Sequence, residues 1–243
     1  MHRDFLSENV FLRTDQVFDG LPKELDLLMQ SSVTHHYKKG EIIFREGGIP
    51  TGIFHVVEGH VKKYKSTPNG GEQIFYLCRR GELLGYHALL GEENYPDSAA
   101  TIEDAMIAFI PKDSFLQVLH NSPHLSNRLL KALGKEFSLF INSIANLATK
   151  TVRERLAIQL LQLDEKFKKS NHAGAASEIN ISRADLANMV GTAKETIVRT
   201  LHDFETEGLI EKTDKMIKIL NRKGIIKKAN LIGLGSRNKL IYS

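Results

Sequence analysis

The sequence predicts an α+β chain. It reads as an N-terminal antiparallel β-roll of jelly-roll-like outline, then one long helix, then a small C-terminal unit of short helices and a hairpin. Three observations carry the prediction. Between Gly40 and Pro111, short β-rich runs alternate with glycine-containing turns. After Pro111 the apolar period lengthens to that of a helix. In the last third, Gly191 separates two short helical patterns, and two short strand runs follow them. The 243 residues suffice for one or two domains. The expected limits are residues 1–120 for the β-roll, 121–149 for the long helix, 150–229 for the C-terminal unit, and 230–243 for a tail with no clear period.

Pro22 opens an amphipathic stretch with Leu21, Leu25, Leu28 and Met29 on one face; proline is tolerated at a helix start because its missing N–H has no partner there anyway. The strand runs are "EIIF", "GIFHVV", "HVKKYK", "QIFYLC", "AATI" and "AMIAFI", and "PNGG" between two of them is a hairpin signal. Many short strands without an intervening long helix predict a sandwich or barrel.

Pro123 begins a helix expected to run to about Thr149. Along it Leu130, Leu133, Phe137, Phe140, Ile144 and Leu147 fall alternately three and four residues apart. This is an a/d seam, the pattern of a helix that pairs with another helix, and it predicts a dimer interface; the plainer reading is a helix lying on its own core. Leu129 and Ile141 lie off the seam and are expected to pack on the β-roll. "TVRERLAIQLLQL" continues as a helix with Val152, Leu156, Leu160 and Leu163 on one stripe, and "KKSNHAGAAS" is a polar loop.

Composition narrows the function. With 42% hydrophobic and 26% charged residues the chain is ordinary for a globular protein. No apolar run approaches the ~20 residues a membrane span needs, and "MHRDFLSENV" lacks the apolar core of a secretory signal, so a cytoplasmic protein without a membrane partner is expected. Cys78 is the only cysteine, which excludes an internal disulfide and a cysteine-cluster metal site, and it is expected in a strand core. No convincing ligand pair emerges from the 10 histidines, so no metal is expected. Residues 1–150 carry 16 Lys+Arg against 18 Asp+Glu, a net of −2; residues 151–243 carry 17 against 11, a net of +6; together they give the +4 of the chain. A basic C-terminal third permits a polyanionic partner.

The most specific signal is "ISRADLANMVGTAKETIVRTLHDFETEGLI", Ile181 to Ile210. Ser182 is expected to N-cap a helix that ends at Gly191 in the left-handed conformation of a tight turn. Thr192 is expected to cap the next helix, with Glu195 at its N3 position as a second capping box. Ala187 is small where the helices cross, and Ile197 and Leu201 pack the second on the first. That spacing, followed by two short runs around Thr213-Asp214-Lys215, predicts a winged helix-turn-helix and therefore double-stranded DNA as a partner. The recognition residues are then Ala193, Lys194, Glu195, Val198 and Arg199. Arg199 is suited to guanine O6/N7, Glu195 to cytosine N4, and Val198 to a thymine methyl. Lys194 is suited to base or phosphate, and Ser182, Thr192 and Lys215 to phosphate. The plainer readings are that Glu195 only caps its helix and that Arg199 is a solvated surface residue.

Together these features resemble the CRP/FNR family of bacterial transcription regulators, over about Leu21 to Ala229. "KGEIIFREGG", "VVEGHVKKY", "GELLGYHALLG" and "IPKDSF" are similar to runs of that family's β-roll, and Glu195-Thr196-Ile197-Val198-Arg199 is similar to its E-T-x-x-R core. The resemblance implies a β-roll sensor, a homodimer on a palindromic TGA-like operator read through Glu195 and Arg199, and RNA polymerase as a further partner of an activator. It also marks Gly85, Tyr86, His87, Asp97 and Ser98 as the effector-pocket segment. There the chain departs from the cyclic-nucleotide-binding members. Tyr86 stands where such members place the Glu for the ribose, and Asp97 where they place the Arg for the phosphate. An Asp facing a phosphate repels it, so no cyclic nucleotide and no other cofactor is expected, and any effector is an unknown small molecule. Two other classes are weighed. A metal-dependent enzyme on a cupin-like β-roll needs clustered ligands that "IFHVVEGHV" does not supply. An interaction module with a degenerate DNA domain is expected to have lost Glu195 and Arg199, which are present.

Overall fold

A computed structural model of the chain describes residues 17–168, 177–214 and 216–231. These residues divide into two compact units, one ending at Ser138 and one beginning at Leu139.

The first unit opens with α1 (Pro22–Gln30), with Pro22 at its start and Leu28 fully buried. Strands follow as β1 (Val33–Tyr37), β2 (Ile42–Phe44), β3 (Gly52–Glu58), β4 (His60–Ser66), β5 (Glu72–Arg79) and β6 (Leu83–Leu84). After the short helix α2 (Tyr86–Leu90) come β7 (Ser98–Thr101) and β8 (Ala105–Pro111). They form two four-stranded antiparallel sheets, ordered β1-β8-β3-β6 and β2-β7-β4-β5. The expected hairpin joins β4 to β5: Thr67 N–H donates to the Gly71 carbonyl at 2.8 Å, and Gly70 takes a φ of 76° that a side chain would resist. One core cluster holds Val56, Val61, Cys78, Leu84 and Ile107 between the sheets, which places Cys78 in a strand core as its sequence context suggests. A second holds Leu28, Ile53, Phe115, Leu125 and Leu129, packing α1, α3 (Lys112–Asn121) and the first turns of the long helix α4 (Pro123–Thr149) onto β3 and β8.

The second unit contains α5 (Val152–Phe167), β9 (Glu178–Asn180), α6 (Arg183–Val190), α7 (Lys194–Thr206), β10 (Ile210–Lys212), β11 (Met216–Ile219) and α8 (Arg222–Lys228). Thr151 and Glu154 form a reciprocal capping box at the start of α5, whose Leu156, Leu160 and Leu163 are buried while Val152 is half-buried. Two elements go beyond the sequence prediction. β9 adds a third strand to the hairpin, in the order β10-β11-β9. The short helix α8 packs on α5, and its Arg222 pairs with Asp164 and Glu165. Seven residues with no long apolar period are too short to register as a helix in the sequence.

Candidate nucleic-acid interface and β-roll cassette

The helix-turn-helix is built from α6 and α7. Ser182 caps α6, its Oγ accepting the Asp185 N–H at 2.9 Å and donating to the Asp185 carboxylate at 2.6 Å. Gly191 ends the helix at φ 70°, ψ 55°, and its N–H returns to the Ala187 carbonyl at 2.9 Å. The second cap differs from the sequence expectation. Ala193, not Thr192, is the N-cap of α7, and no side chain bonds the cap; Glu195 is therefore at N2. Thr192 is drawn back into the turn, its N–H bonded to the Ala187 carbonyl at 3.2 Å. The turn is one residue longer than a capping box at Thr192 allows, so Glu195 is not held by such a box.

α7 buries Ile197, Thr200, Leu201 and Phe204, and the 3.6-residue period places Ala193, Lys194, Glu195, Val198 and Arg199 together on the solvent side, all exposed. Arg155, from α5, fixes the turn: its guanidinium donates to the Val190 carbonyl at 2.8 Å, the Gly191 carbonyl at 3.2 Å and the Lys150 carbonyl at 2.8 Å. Those are carbonyls a helix end leaves without intrahelical partners. Arg153 stacks on Phe204 at 4.8 Å and pairs with Asp203 and Glu207, anchoring the far end of α7. The wing joins through Lys212, which pairs with Glu205, and through Arg183, whose Nη2 donates to the Thr213 carbonyl at 2.6 Å. Arg183 was not among the sequence candidates; nothing in its spacing separates it from an ordinary surface arginine. Lys215 lies outside the described residues.

On α4 the seam residues Leu130, Phe137, Phe140, Ile144 and Leu147 are exposed, between 38% and 69%, so an apolar stripe faces outward. Leu133 departs from the seam: it is half-buried and packs against the β-roll core, as Leu129 does. Ile141, expected on that core, is 51% exposed and belongs to the second compact unit instead.

In the β-roll, Gly85 takes φ 78°, and a Cβ there would meet the Tyr95 ring at 3.0 Å. Tyr86 is buried and its hydroxyl donates to Glu136 Oε1 of α4 at 2.6 Å. Burial and then the Glu136 charge push its phenol far above the usual range. Asp97 is buried as well, with Oδ2 3.2 Å from Lys63 Nζ of β4 and Oδ1 3.5 Å from His87 Nε2. Burial opposes its ionisation, but His87 and Lys63 hold the carboxyl below its ordinary value. Burial likewise opposes the charge on Lys63, yet Asp97 and then Glu136 raise its pKa. Ser98 Oγ accepts the Glu46 N–H at 2.9 Å, a structural bond between the start of β7 and the turn after β2. Lys63 and Glu136 are additions to the sequence candidates. Lys63 is two residues from the buried Val61 along β4 and so shares its face, and its inward placement was readable in principle; its pairing with Asp97, distant in sequence, was not.

Comparison with known proteins decides the family. A cyclic nucleotide-binding domain model matches residues 34–122, and a Crp-like helix-turn-helix domain model matches residues 154–227. The chain is 30% identical over 184 residues to the transcriptional activator protein anr of Pseudomonas aeruginosa, covering 76% of this chain and 75% of that one. The chain belongs to the CRP/FNR family of transcription regulators.

Within the CRP/FNR family, the chain is also 27% identical over 188 residues to the fumarate and nitrate reduction regulatory protein of Escherichia coli strain K12, covering 77% of this chain and 75% of that protein. The fold is shared with FixK2 from Bradyrhizobium japonicum, at a TM-score of 0.72 and 23% identity over 81% of this chain and 96% of that one. It is also shared with the c-di-GMP responsive regulator CLP of Xanthomonas campestris, at a TM-score of 0.65 and 22% identity over 82% of this chain and 98% of that one. These relatives are transcription regulators of a non-enzymatic family, and the reading as a metal-dependent β-roll enzyme falls with them. No helix among the described residues is long and apolar enough to cross a membrane.

Proposed function

We propose that this CRP/FNR regulator acts in the cytoplasm as a homodimer on a palindromic, TGA-like operator, and that its β-roll does not take a cyclic nucleotide. The observation that carries the reading is the exposed face of α7. Glu195 and Arg199 lie one turn apart, both exposed, with no hydrogen bond or ion pair to another described residue. Partners of opposite charge elsewhere in the unit, such as Arg153 with Glu207 and Lys212 with Glu205, are paired. A side-chain set left unpaired on a buttressed helix is suited to base edges: Arg199 to guanine, Glu195 to cytosine, Val198 to a thymine methyl, and Lys194 to base or phosphate. Ser182, the cap of α6, and Thr192, in the turn before α7, are the candidates for phosphates, and Lys215 is the corresponding candidate in the wing. The exposed stripe of α4 is the dimer face, so two recognition helices meet a two-fold operator. In the cassette, Asp97 stands where cyclic-nucleotide-binding members place the Arg for the phosphate, and it is already paired with Lys63, which supports a pocket closed to cyclic nucleotides. RNA polymerase is the further partner wherever the regulator activates.

The test is fluorescence anisotropy of the full chain on a palindromic TGA-type duplex and on a random duplex, at stated salt, with and without cyclic AMP. The expected outcome is preference for the palindrome, unchanged by the nucleotide. Equal affinity for both duplexes refutes sequence-specific reading.

A further inference from the structure

The buried charges of the β-roll form a chain rather than an isolated pair. His87 of α2 lies 3.5 Å from Asp97, Asp97 lies 3.2 Å from Lys63 of β4, and Tyr86 bonds Glu136 of α4 at 2.6 Å. Glu136 is also near enough to Lys63 to strengthen its charge. The side chains of Lys63 and Asp97 are 7% and 4% exposed, so neither is neutralised by solvent. A buried ammonium without a counter-ion is strongly unfavourable, so Lys63 keeps its charge only with an anion beside it, and Asp97 is that anion. The loop before β7 is further tied to β4 by Lys65, whose Nζ donates to the Pro96 carbonyl at 2.8 Å. The last member, Glu136, directly precedes Phe137 of the exposed apolar stripe.

We propose that Asp97 is a built-in anion: it neutralises Lys63 from within the chain, closes the cassette without a small-molecule effector, and through Lys63, Glu136 and Tyr86 sets the dimer face of α4 in its associating position. The inference rests on the reading of the chain as a dimeric DNA-binding regulator. A carboxylate attached to the same fold has no translational freedom to lose on pairing, whereas a free anion must be ordered and stripped of water to displace it. Association of the dimer then follows protein concentration and not ligand concentration.

The experiment uses the full chain as wild type, Asp97→Ala and Tyr86→Phe. Dimerisation is measured by sedimentation equilibrium and operator binding by anisotropy, in sodium formate and in sodium chloride at equal ionic strength. The wild type is expected to dimerise and bind DNA equally in both salts. Asp97→Ala is expected to lose at least about tenfold in dimer affinity in chloride and to regain most of it in formate, because formate fits the space of the lost carboxylate. Tyr86→Phe keeps the ring and loses only the bond to Glu136; it is expected to weaken the dimer by about tenfold in both salts. Any one of three results overturns the proposal: Asp97→Ala dimerising as the wild type in chloride, a loss in that variant that formate does not relieve, or a wild type whose affinity rises on adding formate or inorganic phosphate. If Asp97→Ala does not fold in chloride, Tyr86→Phe decides, and wild-type dimerisation by that variant overturns the proposal. A wild type that dimerises but shows no preference for a palindrome fails the DNA reading alone and leaves the dimer measurements to judge the clasp.

Discussion

Ile144 gives the sharpest test of the proposed dimer face. It is 69% exposed in the single chain, so it contributes little to the folding of its own protomer. Truncation to alanine removes about three carbon groups, each worth about 0.8 kcal/mol when buried. Scaled by the exposed fraction, the seam gains about 1.7 kcal/mol from this side chain on each protomer. A two-fold interface uses the same patch twice, so Ile144→Ala is expected to cost about 3.3 kcal/mol of association, or about a 250-fold rise in the dimer dissociation constant. Sedimentation equilibrium over a wide concentration range measures it. Leu27, on α1 and 54% exposed, is the control, and its truncation should leave association unchanged. The reasoning is refuted if Ile144→Ala dimerises as the wild type. It is refuted equally if the variant lowers the unfolding midpoint of the dissociated monomer as much as it weakens the dimer, because the residue then belongs to its own core.

Arg199→Ala should cost about 1–3 kcal/mol on a palindromic site and much less on random duplex, measured by anisotropy at fixed salt; an equal loss on both would make Arg199 a phosphate contact only. Gly191→Ala places a Cβ at φ 70° and should lower stability by about 1–2 kcal/mol in urea denaturation, through the turn that Arg155 also holds. His55 is buried, and burial and then the charge of Arg80 lower its pKa to about 4 from about 6.5. Its neutral form is the folded one, so the unfolded chain takes up the proton first as pH falls. Stability is therefore unaffected by His55 above pH ~6.5, falls between pH ~6.5 and ~4, and levels off below that. Between pH 7 and 5 the loss should be about 2 kcal/mol in the wild type and absent in the corresponding difference for His55→Gln, read from urea midpoints.

The sequence by itself determined what repeats locally. The β-roll, the long helix from Pro123, the glycine turn at Gly191 and the exposed face of α7 all rest on periodicity, on proline and glycine geometry, or on a motif whose parts lie within one turn or two of one another. The same logic placed Leu130, Phe137, Phe140, Ile144 and Leu147 on one stripe, because a helix fixes which residues share a face. Where it failed, the deciding contact came from elsewhere. The β-roll core takes Leu133 out of the seam and leaves Ile141 exposed. The turn consumes Thr192 and moves the cap to Ala193, a difference of one residue that capping preferences do not resolve. The cassette shows the division most clearly. Tyr86 and Asp97 were legible as departures, but their partners were not: Lys63 and Glu136 stand far away along the chain, and only the packing of β4 and α4 against the loop brings a cation to Asp97 and an acceptor to Tyr86. Local sequence encodes the shape of each element, whereas the neutralisation of a buried charge depends on which elements meet, and that is settled in three dimensions.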